Sequence, residues 1–356
     1  MRFHRTTLLP SLLLSLLLLT SCGGQTEEAP ATTTADPQTS DAQASESQSV
    51  DLFAMDTVMT LTAYGAHAQD GLNAATQEIE RLDDLFSISS ADGDIAVLNA
   101  QGTNTLSDDT ASLLRQALAL SEDTGGLFDC TIAPVMTAWG FSTGEYHVPD
   151  DATLQDLLSR VDSSQVQLDG NTATLPENVS IDLGGIAKGF TSDRIMQVFQ
   201  EQGVTSGIVS LGGNVQALAH KPDGSNWRVA IQDPRDQSEN FLVLDIADQA
   251  VITSGGYQRY FEEDGKTYHH IIDPRTGYPA DSGVLSMSII SANGTLADGL
   301  STSLFIMGPE KAAEYWRAHQ DEFDAVWMTD DGSVYLTKGL ENCYESLTDA
   351  PVQIIS

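Results

Sequence analysis

His270 stands three residues ahead of Asp273-Pro274, at the end of the segment Thr253 to Ala280, TSGGYQRYFEEDGKTYHHIIDPRTGYPA. A neutral imidazole is the side chain best suited to take a proton near pH 7, so this residue type points to general-base chemistry. Asp264-Gly265 is a favoured two-residue turn, because both central positions of a type I′ turn need positive φ. That turn pairs Phe261 with Tyr268, Tyr260 with His269 and Arg259 with His270. Cross-strand partners share a face, so Arg259 and His270 are expected to point the same way. A guanidinium there disfavours the imidazolium and lowers the histidine pKa. A neutral base beside an anion binder suits phosphate chemistry. Taken alone, the segment reads equally as a structural histidine before a rigid turn, since Asp-Pro and Thr-Gly form turns anyway.

Asp298 and Thr302 are four residues apart in an apolar helical stretch, hence one turn apart on one face. A carboxylate and a hydroxyl so placed offer two hard oxygen ligands to Mg²⁺ or Ca²⁺, although the pair alone also fits a polar helix flank. Further oxygens would come from irregular glycine turns, where carbonyls are free. Asp182-Leu-Gly-Gly-Ile-Ala-Lys-Gly189 is such a turn and leads straight into a helix. Amides at a helix N-terminus attract phosphate, glycines allow close approach, and Lys188 adds a positive charge. The glycine spacing is neither that of a Walker loop nor that of a dinucleotide fingerprint. Gly212-Gly213-Asn214, after a short apolar strand, is a similar cue of lower specificity.

The elements that must position these residues follow from periodicity. Phe53 to Tyr64 reads as an opening strand. Leu72, Ala75, Ile79, Leu82 and Phe86 recur at helical spacing, which predicts an amphipathic helix over 71–86. A second helix is expected over 110–121, and a third runs from the 182–189 loop to Gly203 with Phe190, Ile195 and Phe199 inward. Strands are expected over 206–211, 227–231, 241–246, 285–291, 325–328 and 334–337, with a helix over 296–307. Mixed helices and antiparallel strands without an internal repeat predict an α+β fold.

The chain as a whole sets limits on partners and place. Arg2, Arg5 and the apolar run Leu8 to Leu19 form a targeting segment, too short to span a membrane well. Small residues lead into Cys22, which looks like a bacterial lipobox. Residues 1–21 are therefore expected to be a lipoprotein signal peptide, with lipid on the Cys22 sulfur. Residues 22–50, rich in Thr, Ser, Ala, Gln and acids, read as a flexible tether. Residues 51–345 are expected to form the folded domain and 346–356 a C-terminal tail. With 51 acidic and 16 basic residues the formal charge is −35. Such a surface repels nucleic acid and anionic lipid, so an anionic ligand needs a locally positive or metal-bearing site. Cys130 and Cys343 are the cysteines left after Cys22, and they lack a metal-type spacing. Outside the cytoplasm they could form one disulfide, a pairing that sequence leaves open.

These stretches, in order, resemble the ApbE-like FAD:protein FMN transferases. The matching motifs are Met55-Asp56-Thr57; Gly126-Leu127-Phe128-Asp129 with Trp139-Gly140-Phe141; Asp182 to Gly189; Ser210 to Asn214; Ser254-Gly255-Gly256-Tyr257; His270 to Gly277; and Ala297-Asp298 with Thr302. The resemblance covers roughly residues 52 to 340. It implies transfer of FMN from FAD to a Ser or Thr hydroxyl of an acceptor protein, through a phosphodiester bond, with release of AMP and dependence on a divalent cation. By the same resemblance the flavin site includes Met55, Leu127, Phe128, Asp129, Asp182, Lys188 and Ile272. The metal (Mg²⁺, with Ca²⁺ or Mn²⁺ as substitutes) is held by Asp298, Thr302 and the carbonyl of Gly185, and His270 is the catalytic histidine. Ser301 stands where some relatives carry a second acid. Acceptors implied are subunits of membrane redox pumps and extracytosolic flavin reductases, reached from a lipid anchor on the extracytoplasmic face of the cell membrane. Two other readings fit the same residues: hydrolysis of FAD to FMN and AMP, and flavin binding without catalysis.

Overall fold

The structure is a computed structural model that describes residues 46–356. The expected signal peptide, Cys22 and nearly all of the tether lie outside the described residues.

The fold opens with an antiparallel hairpin, β1 (Ser47–Ala54) and β2 (Thr57–Tyr64). The single strand expected over Phe53 to Tyr64 is therefore two strands, and the fold starts before residue 51. The break falls at Met55 and Asp56, with φ of 49° and 59°, the two positive angles a type I′ turn needs. Neither residue is glycine or asparagine, so the turn carries no sequence signal. α1 (Ala68–Phe86) buries the expected stripe of Leu72, Ala75, Ile79, Leu82 and Phe86. α2 (Asp94–Gln101), β3 (Thr103–Thr105) and α3 (Asp108–Asp123) follow, α3 being capped by the Ser107 side chain on Thr110 N. Two short helices, α4 (Ala133–Ala138) and α5 (Asp151–Leu158), precede β4 (Gln167–Asp169) and β5 (Thr172–Thr174), which join β3 in a small sheet.

α6 (Ala187–Glu201) starts inside the Asp182–Gly189 loop and buries Ile195 and Phe199. Strands β6 (Gly207–Leu211), β7 (Asn214–Leu218), β8 (Trp227–Asp233), β9 (Asp236–Ile246) and β10 (Ala250–Gly255) come next. The hairpin β11 (Tyr260–Glu263) and β12 (Lys266–His269) leads to β13 (Val284–Ser291). α7 (Gly294–Met307), α8 (Pro309–Ala318), β14 (Asp324–Thr329), β15 (Val334–Thr337), β16 (Tyr344–Ser346) and β17 (Val352–Ile355) complete the chain.

Nine strands form the central sheet in the order β1-β2-β6-β7-β10-β13-β14-β15-β17, antiparallel throughout except at β15–β17. The α+β expectation holds. Residues 346–356 are not a tail, because β17 pairs with β15 and packs Val352 and Ile354 on the core. Period-two alternation gives the sheet two buried faces. Ile252, Met287, Ile289 and Trp327 join the core under the helices, whereas Val251, Ile290, Val326 and Met328 face the small β8–β9–β16 sheet.

α7 is buried along most of its length, so its N-terminal amides have little access to water and need protein acceptors. Asp193 on α6 supplies them: its carboxylate accepts from Gly294 N (2.7 Å), Thr295 N (2.8 Å), Thr295 Oγ1 (2.7 Å) and Gln216 Nε2 (2.9 Å). Asp193→Ala strands these donors and is expected to cost about 2 kcal/mol or more in urea unfolding. An unfolding midpoint equal to that of the parent protein would show that Asp193 does not hold α7.

Candidate functional site

The turn at Asp264-Gly265 forms with φ of 50° and 75°, and it sets the expected pairs Tyr260–His269 and Phe261–Tyr268. One step beyond the ladder, His270 N–H donates to Arg259 O at 3.1 Å. His270 Nδ1 lies 3.1 Å from the same carbonyl. A carbonyl only accepts, so Nδ1 carries the proton and Nε2 keeps its lone pair. His269 is held differently. Its Nε2 donates to Ala280 O (3.1 Å) and its Nδ1 accepts from Ile271 N (3.2 Å), so both ring nitrogens serve the scaffold. Of the two adjacent histidines, His270 is the one with a free base.

Burial is the main cause that pushes the His270 pKa down, to about 4, with the positive charges of Arg259 and Lys188 adding to it. The expected lowering by Arg259 is therefore present but secondary. The guanidinium turns to Phe141, donating to its carbonyl and lying 5.8 Å from the ring centroid. Trp139-Gly140-Phe141 thus serves the hairpin, and Trp139 Nε1 also donates to Gly277 O at 2.7 Å. Ile272 is buried with Trp139 and Phe141, and Asp273 closes the following turn by accepting from Thr276 N and Gly277 N.

The second half of the site is built on Asp298. Its Oδ2 accepts from Gly189 N at 2.8 Å, its Oδ1 from Asn214 Nδ2 at 2.9 Å, and Lys188 Nζ stands 3.9 Å away. Gly189 lies in the first turn of α6, where N–H groups have no intrahelical acceptor, and Asp298 supplies one. The Gly185 carbonyl, just ahead of the helix, has no protein donor among the described residues. This approach needs glycine: a Cβ on Gly189 would lie 2.2 Å from Gly294 O and 2.6 Å from Asp298 Cβ. Thr302, one turn along α7, has its Oγ1 3.3 Å from Ser254 Oγ.

Around this pair the remaining expected residues assemble. Asp182 is tied down by its N–H to Cys130 O (2.8 Å) and by its Oδ1 accepting from Gly184 N (2.8 Å). Burial pushes its pKa up, Asp56 adds to that, and Arg259 and Lys188 oppose it, so charged groups from three segments act on one another here. Phe128 packs its ring against Gly185, and Leu127 is buried in the same core. Met55 Sδ accepts from Thr191 Oγ1 of α6 at 3.7 Å. The Met55–Thr57 turn also seats Gly212, where a Cβ would strike Thr57 Oγ1 at 2.3 Å. Asp129 differs from the rest. Its carboxylate accepts from Thr131 N (2.8 Å), Thr131 Oγ1 (2.6 Å) and Ser163 N (3.0 Å), so it fixes the loop that carries Phe128. Cys130 and Cys343 are unpaired.

A hard cation suits the donor types offered here: the Asp298 carboxylate, the Thr302 hydroxyl and the Gly185 carbonyl ahead of α6. No group of three His, Cys, Asp or Glu that could hold a metal exists among the described residues, so neutral oxygens would complete the set. Sequence reasoning missed Asn214 as the residue that orients Asp298. A polar side chain opening a buried strand after two glycines was the available signal.

Fold and site together define a class: an α+β domain that carries a glycine-rich loop at a helix start, a buried carboxylate with oxygen donors near it, and a neutral histidine. The profile of the ApbE family matches residues 55–327, and the chain belongs to that family. It is 34% identical over 308 residues to the FAD:protein FMN transferase of Treponema pallidum, covering 80% of this chain and 85% of that protein. Against the protein of the same name from Klebsiella pneumoniae it is 33% identical, covering 73% and 83%. Its fold matches the crystal structure of the ApbE protein from Thermotoga maritima with a TM-score of 0.78 at 28% identity, covering 83% of this chain and 98% of that one. The flavin transferase ApbE from Vibrio cholerae gives 0.73 at 28% identity, covering 84% and 100%.

Two expectations follow. Gly189→Ala forces α6 and α7 apart and should cost about 1–3 kcal/mol, read by thermal unfolding, together with any divalent-cation response of the protein. A variant that unfolds like the parent and still responds to Mg²⁺ would show that the close approach is dispensable. The pH profile is the second test. Because the His270 pKa is lowered, its neutral form persists as pH falls, and base function is lost only as pH drops through about 4. The rate should therefore show no inflection for this group between pH 8 and 6, and an inflection near 6.5 would show that His270 is not held neutral.

Proposed function

We propose that this chain transfers FMN from FAD to a Ser or Thr hydroxyl of an acceptor protein. The observation that carries the reading is the fixed tautomer of His270, with a free Nε2 and a depressed pKa, on the same charged cluster as Lys188 and Asp182. The relatives named above as FAD:protein FMN transferases support it.

In this reading Nε2 of His270 takes the proton of the acceptor hydroxyl. The oxygen attacks the FMN-side phosphorus, the P–O bond to the AMP phosphate breaks, and AMP leaves. Asp298, Thr302 and the Gly185 carbonyl would hold a divalent cation, which neutralises charge on the phosphate oxygens. Lys188 adds positive charge beside Asp298, and the amides of the 182–189 loop face the phosphates. Asp182, Met55, Phe128, Leu127 and Ile272 would hold the flavin, with Asp129 fixing the loop that carries Phe128. Lipid on Cys22 and a tether with a reach of roughly 30 Å would keep the domain close to acceptors at the outer face of the membrane. Redox-pump subunits and extracytosolic flavin reductases are acceptors of the fitting kind.

His270→Ala should slow FMN transfer by about 10²–10⁴ with little change in FAD affinity, because the base acts on the acceptor proton. Product analysis with FAD, Mg²⁺ and a purified acceptor protein tests the whole reading. Flavinylated acceptor with stoichiometric AMP is expected. FMN and AMP with an unmodified acceptor would make the chain a hydrolase, and unchanged FAD would make it a binding protein.

A further inference from the structure

We propose that Ser254 and Ser301 are positioning residues that orient the Thr302 hydroxyl for a divalent cation, an inference that rests on the cation reading above. Four oxygens on two elements form a chain. Ser301 Oγ is 2.8 Å from the carbonyl of Asp298, Ser254 Oγ is 2.8 Å from Ser301 Oγ, and Thr302 Oγ1 is 3.3 Å from Ser254 Oγ.

Each hydroxyl has one hydrogen to donate, and the far end of the chain decides every direction. A carbonyl oxygen cannot donate, so Ser301 gives its hydrogen to Asp298 O. Ser301 then has none left for Ser254, so Ser254 must donate to Ser301. Ser254 in turn can only accept from Thr302. The Thr302 hydrogen is thereby turned toward β10, and its oxygen keeps both lone pairs for a cation.

Reversal would require Ser301 to give up its bond to the Asp298 carbonyl, and Ser301 is fully buried, so no water replaces that bond. Outer hydrogen bonds of this type fix the direction of a ligand and commonly set metal affinity by 10–100-fold. The chain also gives Ser301 a use. A carboxylate at that position would supply charge, whereas the hydroxyl supplies direction and leaves Asp298 as the single anionic ligand.

The variant that isolates this effect is Ser301→Ala, since Ser301 belongs to none of the groups proposed to hold the cation. Without Ser301 the Ser254 hydrogen is free to turn to Thr302 and occupy a lone pair there. Mn²⁺ titrated into the flavin-free protein, with the free ion followed by EPR, should show affinity about tenfold weaker for Ser301→Ala and for Ser254→Ala. Ser254→Thr, which keeps the hydroxyl, should bind as the parent does. Thr302→Val gives the reference loss. If Thr302→Val weakens Mn²⁺ binding and the serine-to-alanine variants do not, the orienting chain is wrong while the cation site stands. If Thr302→Val binds Mn²⁺ as the parent does, both ideas fall. Unfolding midpoints without cation separate ordering from general loosening: serine variants whose midpoints fall in step with their affinity would overturn the proposal.

Discussion

The bond from Gly189 N–H to the Asp298 carboxylate is the contact on which the rest of the site depends. It brings two helices together at a point where a single added carbon would collide with backbone. It also caps a first-turn amide of α6 that has no acceptor within its own helix. Asn214 holds the other oxygen of the same carboxylate, so a turn of the central sheet is tied to the same place. One acidic side chain thus ties together α6, α7 and a strand turn. Such a carboxylate is costly to bury without partners, and both of its oxygens have them.

The hairpin half of the site follows a different logic, in which one backbone carbonyl does the selecting. Arg259 O receives both the amide and the ring nitrogen of His270. Whatever the charge on the arginine side chain, this geometry decides which nitrogen can act as a base. The guanidinium itself is drawn toward Phe141, which explains why its influence on the histidine is smaller than proximity along the strand suggests.

Much of this was legible in the sequence, and the misses share a cause. The Asp264-Gly265 turn, its register and the apolar stripe of α1 follow local rules, and the structure keeps them. The pairing of Asp298 with Thr302 on one helix was readable from spacing alone. The break at Met55-Asp56 was not, because Met55 takes a positive φ that its residue type does not announce, in a turn packed against Gly212. β17 was hidden for a similar reason, since four residues near a chain end become a strand only when β15 offers an edge. Asn214 and Ser254 stand in the sequence only as members of motifs, with no individual role, and Asp193 carries no signal at all. Their roles appear only when elements far apart in sequence meet.

The few positive charges of the site sit inside a molecule of formal charge −35. At low ionic strength, an anionic ligand approaching from solution meets repulsion over most of its path and attraction only within the last few ångströms, near Lys188 and Arg259. Screening shortens the range of the repulsion to about 8 Å at physiological salt, while contacts made inside the site are screened far less. Encounter and retention therefore respond oppositely to salt. Added ions should ease the approach of such a ligand more than they weaken the contacts made inside the site, the opposite of the usual charge-steered case.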